Sequence, residues 1–151
     1  MDFYSFLENT AKADGIEKIV IGAVITNKNG EILLVKRNSN DFMGGIYEIP
    51  GGNKEENENI CDTIIREVKE ETNLNVRSII SYINQFEYLS SNSKKSRQFN
   101  FKVEVENGPI LLTEHDTYKW INLNNIENEE NISKELKYAL FIYKFNENQK
   151  S

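Results

Sequence analysis

At 151 residues the chain is long enough for one domain with a real apolar core. Its 24 acidic and 18 basic side chains leave a net charge of −6, which argues against a protein that coats nucleic acid or an anionic membrane. A single cysteine and a single histidine exclude an internal disulfide and a Cys/His zinc cluster.

Residues Phe3 to Ala13 carry apolar side chains at Phe3, Phe6, Leu7 and Ala11, which predicts a short amphipathic helix within an N-terminal segment 1–15, closed by Asp14-Gly15. That helix caps the domain edge or packs across the partner of a homodimer. The start, Met1-Asp2-Phe3-Tyr4-Ser5, lacks the basic opening and apolar core of a signal peptide, and no apolar run reaches the length of a membrane span. A cytoplasmic protein without membrane or nucleic-acid partners is expected.

Lys18 to Thr26 is rich in Ile and Val and reads as a strand. Asn27-Lys28-Asn29-Gly30 predicts a hairpin turn, and Glu31 to Arg37 the returning strand. Lys36 and Arg37 at its end serve either solubility or the neutralisation of a bound phosphate. In the polar loop Asn38 to Gly45, Phe42 and Met43 either line a base pocket or fold against the sheet. A short strand, Ile46 to Ile49, leads into Pro50-Gly51-Gly52, where glycine lets backbone approach a metal or phosphate closely.

The next helix starts at Asn59, a fitting N-cap, and stops at Asn73, which suits a left-handed C-terminal residue. Cys61, Ile64, Ile65 and Val68 form its apolar stripe, and Cys61 reads as a core residue. Glu67, Glu70 and Glu71 lie three and four residues apart, about 120° round from that stripe. Like charges at this spacing repel, and a hard divalent cation with carboxylate ligands removes the conflict. Arg66 is placed to pair with Glu58 and tie the preceding loop to the helix.

Leu74 to Leu89 alternates poorly and predicts one long strand or two broken ones. After a polar hairpin loop, Ser90 to Lys95, the run Arg97 to Glu106 alternates cleanly, with Phe99, Phe101, Val103 and Val105 on one side. Gln98 and Asn100 on the other side read a base edge or face water. The segment Glu114-His115-Asp116 precedes a strand, Tyr118 to Ile121, and is placed to overhang a cleft. Glu127 to Asn131 reads as a solvated linker. Ser133 caps a final helix from Lys134 to about Phe145, and 146–151 reads as a frayed tail.

The stretch Gly52-x5-Glu58-x7-Arg66-Glu67-Val68-x-Glu70-Glu71-x-Asn73-Leu74 resembles the Nudix box, with Asn73 where the family usually has glycine. The resemblance implies a single Nudix hydrolase domain over 1–151, an α/β (α+β) fold built as an α/β/α sandwich with a mixed central sheet. It implies Mg²⁺ or Mn²⁺ held by Glu67, Glu70, Glu71 and the Gly51 carbonyl. Arg66, Glu58 and a loop acid, best matched by Glu114, complete the catalytic set, with Glu67 or Glu114 as the base; Glu114 serves otherwise as an extra metal ligand, and His115 is the alternative proton acceptor. Arg37, Lys36, Phe42 and Gly52 are the substrate-binding candidates. The implied reaction is hydrolysis of a pyrophosphate bond in a small nucleotide. Two proline signatures of the ADP-ribose and NADH branches are absent, because the only prolines are Pro50 and Pro109, which favours a nucleoside triphosphate. A nucleotide sugar or dinucleotide substrate, or a non-catalytic nucleotide-binding module on the same fold, are the alternatives.

Overall fold

One glycine-containing turn and one proline decide how the strands divide. The computed structural model describes residues 1–40 and 44–150. Strand β1 (Lys18–Ile25) lies in the middle of a four-stranded mixed sheet, antiparallel to β4 (Gly51–Asn53) and parallel to β6 (Lys95–Val105), which in turn pairs antiparallel with β5 (Val76–Leu89). Strand β2 (Ile32–Arg37) belongs to a separate antiparallel sheet, between β3 (Tyr47–Glu48) and β7 (His115–Ile121). The expected central sheet is thus two sheets in one layer.

The turn at residues 27–30 forms, with the Asn27 side chain accepting the amides of Asn29 and Glu31 and with Gly30 at φ +75°. It closes a short hairpin, with the Asn27 amide donating to the Glu31 carbonyl at 3.1 Å and Thr26 bridging Ile32 antiparallel. Beyond that bridge the two strands part into different sheets. Pro50 separates β3 from β4 and passes the chain back from the second sheet to the first.

Helices cover both faces. Helices α1 (Phe3–Ala13) and α2 (Ile60–Thr72) pack on one side with Ile21, Ala23, Ile25, Phe99, Phe101 and Val103. Helix α3 (Lys134–Asn148) and a 3-10 turn (Leu123–Asn128) pack on the other with Val24, Ile32, Leu34 and Ile121. The 3-10 turn overlaps the supposed linker, and its Ile126 is fully buried. Helix α3 runs past Asn146, where fraying was expected, because Glu147 pairs with Lys102 at 2.9 Å. No helix among the described residues is long and apolar enough to cross a membrane.

Strand β5 is a single strand. Its register against β6 shifts between Val76 and Ser78, Ile79 and Ser81, and Tyr82 and Asn84. Each shift resets the side-chain alternation, which is why no clean period is visible in that sequence.

Helix α2 ends where its termini require. The Asn59 side chain accepts the Asp62 amide at 2.8 Å, and Asn73 sits at φ +69°. A side chain other than Asn or Gly costs about 1–2 kcal/mol in that left-handed conformation. Asn73→Ala is expected to lower stability by about 1 kcal/mol, while Asn73→Gly stays within about 0.5 kcal/mol of the parent. Urea unfolding of the three proteins checks this, and an alanine variant as stable as the parent would show that the left-handed cap carries no constraint.

Candidate active site

The side chains of α2 are set by which part of the helix is buried. Its buried residues include Ile60, Ile64 and Val68, whereas Ile65 is 48% exposed and Cys61 only half-buried. At 100° per residue Glu71 falls about 20° from Ile64, on the buried face itself. The expected 120° separation of acidic and apolar stripes is therefore wrong. The three carboxylates step round the helix from exposed Glu70 through Glu67 to buried Glu71, with side-chain exposures of 58%, 14% and 8%.

Burial pushes the Glu71 carboxyl up to about 8, although the Gly51 amide donates to its Oε1 at 2.7 Å. The contact of Gly51 with the acidic helix thus runs through its amide. The other Glu71 oxygen, Oε2, lies 3.4 Å from His115 Nδ1. On the far side of the ring, His115 Nε2 is 2.8 Å from Glu48 Oε2, and Arg37 Nη1 donates to Glu48 Oε1 at 3.2 Å. The His115 pKa is raised by the Glu48 hydrogen bond and the nearby Glu71 charge, which together outweigh a larger opposing burial effect. Glu48, Glu71 and His115 each bring a ligand atom within 4.8 Å of the others. Glu48 was not singled out from sequence. Its signal was a lone acid inside the short apolar strand before the glycine pair.

Arg66 gathers the rest of the acidic loop. Its Nε donates to Glu58 Oε2 at 2.9 Å and its Nη2 to Glu58 Oε1 at 2.5 Å. Nη2 also donates to the Asn53 carbonyl at 2.9 Å, and Nη1 to Glu67 Oε1 at 2.9 Å and Glu70 Oε2 at 3.2 Å. The guanidinium holds Glu58 down at about 2. Burial instead raises the Glu67 pKa, against the pull of Arg66. A Cβ at position 52 would stand 2.3 Å from the Glu67 carboxyl carbon, so any larger residue there would displace the Glu67 carboxylate.

A cavity of about 230 Å³ opens beside these groups, lined in part by Arg37, Glu48, Gly52, Phe86, Gln98 and Asn100. Gln98 and Asn100 therefore face the cavity and not open water. Gln98 Nε2 donates to Asn100 Oδ1 at 2.8 Å, and Asn100 Nδ2 to Asn84 Oδ1 at 3.0 Å. A Cβ on Gly22 would come within 2.3 Å of Asn100 Oδ1, so glycine makes room for this amide chain. Lys36 is half-buried and does not line the cavity. Phe42 lies outside the described residues. Glu114 is exposed, just ahead of β7, and its charge raises both the Glu67 and the His115 pKa. The Thr113 hydroxyl donates to the Glu70 carbonyl at 3.0 Å and ties that segment to the end of α2.

The profile of the NUDIX domain matches residues 17–141. The chain belongs to the Nudix family. Nudix hydrolase 5 of Arabidopsis thaliana is 27% identical over 135 residues, 84% of this chain but only 43% of that protein, so the chain spans less than half of that relative. The 8-oxo-dGTP diphosphatase of Buchnera aphidicola subsp. Schizaphis graminum is 30% identical over 109 residues, 72% of this chain and 79% of that one. Among solved structures, a MutT protein from Methanosarcina mazei Go1 superposes with a TM-score of 0.74 at 26% identity, covering 89% of this chain and 96% of that chain.

Among the described residues, the groups close enough to share one divalent cation are Glu48, Glu71 and His115. Glu67 and Glu70 add carboxylate oxygens on adjoining positions of the Nudix-box helix, and burial raises the pKa of Glu67 and Glu71.

Two pH dependences follow in the metal-free protein. The folded pKa of Glu58, about 2, is below its ordinary 4.5, so its stabilisation is present above pH 4.5 and lost as pH falls through about 2. Arg66→Ala is expected to cost about 2 kcal/mol at pH 7, with the gap to the parent closing towards pH 2. Glu71 is raised from 4.5 to about 8, so its contribution is favourable below pH 4.5 and is lost as pH rises through about 8. With EDTA present, Glu71→Gln is therefore expected to gain stability over the parent between pH 5 and 8. Urea unfolding at pH 3, 5, 7 and 8 measures both, and pH-independent differences would reject these assignments.

Proposed function

We propose that the chain is a metal-dependent pyrophosphohydrolase acting on a nucleoside triphosphate, releasing a nucleoside monophosphate and pyrophosphate. The observation that carries this reading is the buried Glu71 carboxylate held by the amide of Gly51, a residue that with Gly52, Glu48 and Arg37 lines a cavity of about 230 Å³, while Glu67 and Glu70 share its helix. The relative named 8-oxo-dGTP diphosphatase supports a triphosphate as the substrate class.

Glu67, Glu70 and Glu71 would hold Mg²⁺ or Mn²⁺. When bound, the cation neutralises charge on the phosphate oxygens and acidifies the attacking water. Arg66 keeps Glu67 and Glu70 turned towards one another and braces them against the Glu58 loop. Arg37, at the cavity wall, faces the phosphate chain. Gln98 and Asn100 offer amide groups to the base edge, and Phe86 offers a ring face. Water adds to phosphorus, the bridging P–O bond breaks, and the water proton passes to a carboxylate. Glu114, tethered near Glu67 through Thr113, is assigned that proton.

A screen of nucleoside di- and triphosphates, nucleotide sugars and dinucleotides, with product analysis, tests the substrate class. Triphosphates should give monophosphate and pyrophosphate, most rapidly at alkaline pH. Full turnover in excess EDTA would contradict the mechanism. Glu71→Gln and Glu70→Gln should each lower kcat steeply in a folded protein, and Glu114→Gln by roughly 10²-fold or more, the scale of general base help. If Glu114→Gln and His115→Ala both stay within a few-fold of the parent, the base lies within the Nudix box.

A further inference from the structure

Two buried nitrogens at the acidic centre, Arg37 Nε and His115 Nδ1, have no hydrogen-bond partner among the described residues, and the second faces a carboxylate. The His115 side chain is 5% exposed. The opposite ring nitrogen is accounted for. Nε2 lies 2.8 Å from a Glu48 carboxylate oxygen and donates to it. Arg37 holds Glu48 in turn through its other oxygen at 3.2 Å. The ring is therefore oriented with Nδ1 towards Glu71 Oε2, 3.4 Å away. The Glu71 carboxylate is pinned from its other side by the Gly51 amide at 2.7 Å.

A ring nitrogen and a carboxylate oxygen facing each other in a buried pocket need something positive between them, a proton in the metal-free protein or a cation that displaces it. The spacing suits a cation. Two ligand atoms each about 2.1 Å from one metal ion, at an angle of about 90° to 110°, lie about 3.0 to 3.4 Å apart. The carboxylate–imidazole pair behind the nitrogen is the arrangement by which proteins commonly fix the tautomer of a metal-binding histidine and strengthen it as a donor.

We propose that His115 Nδ1 and Glu71 Oε2 together ligate a divalent first-row transition ion, with Glu48 as the positioning residue that orients the imidazole. The nitrogen donor gives this position a preference for Mn²⁺ and later ions over Mg²⁺, which binds oxygen ligands and keeps its water. This deepens the metal-dependent reading above by adding a ligand from β7. It is separable from that reading, since binding is measured without any nucleotide.

The test loads the full chain with Mn²⁺ alone and records electron spin-echo modulation for a directly coordinated ¹⁴N. The parent should show imidazole nitrogen coupling, and His115→Gln should lose it while binding Mn²⁺ at least about tenfold more weakly. Mg²⁺ affinity, from competition with Mn²⁺ in that variant, should change by less than about threefold. Glu48→Ala, which frees the ring but keeps the nitrogen, should weaken Mn²⁺ by roughly 10- to 100-fold, the usual effect of losing such a supporting partner. Far-ultraviolet circular dichroism confirms that each variant is folded. Mn²⁺-loaded parent without nitrogen coupling, or no Mn²⁺ binding at all, overturns the proposal. A nucleotide turnover that fails while nitrogen coupling is present overturns the proposed reaction and leaves the ligand assignment standing.

Discussion

The burial of one carboxylate governs the arrangement of the whole centre. Glu71 occupies a position on α2 that the helix otherwise gives to Ile60, Ile64 and Val68, so the rotation that seats the helix on the sheet also drives this acid inward. An isolated buried charge costs several kcal/mol, and the surroundings are built to reduce that cost. The Gly51 amide approaches from β4, and the His115 ring closes the other side from β7. Both approaches depend on tight local packing. At Gly51 a Cβ would lie 2.1 Å from the Ile21 carbonyl oxygen, so only glycine lets β4 come this near to β1.

Arg66 solves a different problem. It does not touch Glu71 but collects the loop carboxylate Glu58 and two helix carboxylates around one guanidinium. Because these bonds fan out from a planar, permanently charged group, the acidic side chains are held in register without neutralising one another by protonation. Glu58 stays ionised as a result, whereas Glu71, out of reach of any arginine in the same network, is raised by burial.

Much of this was legible in the residues. The N-cap at Asn59, the left-handed stop at Asn73, the Glu58–Arg66 pair and the acidic helix all follow from spacing, because they depend on contacts within about one turn or on a fixed interval. What escaped depends on tertiary placement. The exposure of Ile65 and the burial of Glu71 differ from the expected stripe because periodicity gives the width of an apolar face but not its centre. Glu48 and the Asn84–Asn100–Gln98 amide chain come from separate strands and converge only after the sheets form. The Asn27–Gly30 turn was recognisable, yet turn chemistry reports the reversal of the chain and not which sheet receives it. The irregular alternation of β5 was real, and its three register shifts explain it.

The division of the strands into two sheets means that no single sheet contains the acidic centre. Gly51 and Gly52 ride on the four-stranded sheet, with α2 packed against it, while Arg37, Glu48 and His115 ride on the three-stranded one. The covalent stitch between them at this point is the short run through Pro50, and across β1 and β2 the Thr26–Ile32 bridge is the only ladder contact. Each apolar core draws on both sheets, Leu33 packing with Ile21 and Phe99 on one side and Val24 with Ile32 and Leu34 on the other, so packing resists a rotation of one sheet against the other that would change the gap between Glu71 and His115. The centre thus works as a strain gauge for the layer, its spacing set by how the two sheets sit together.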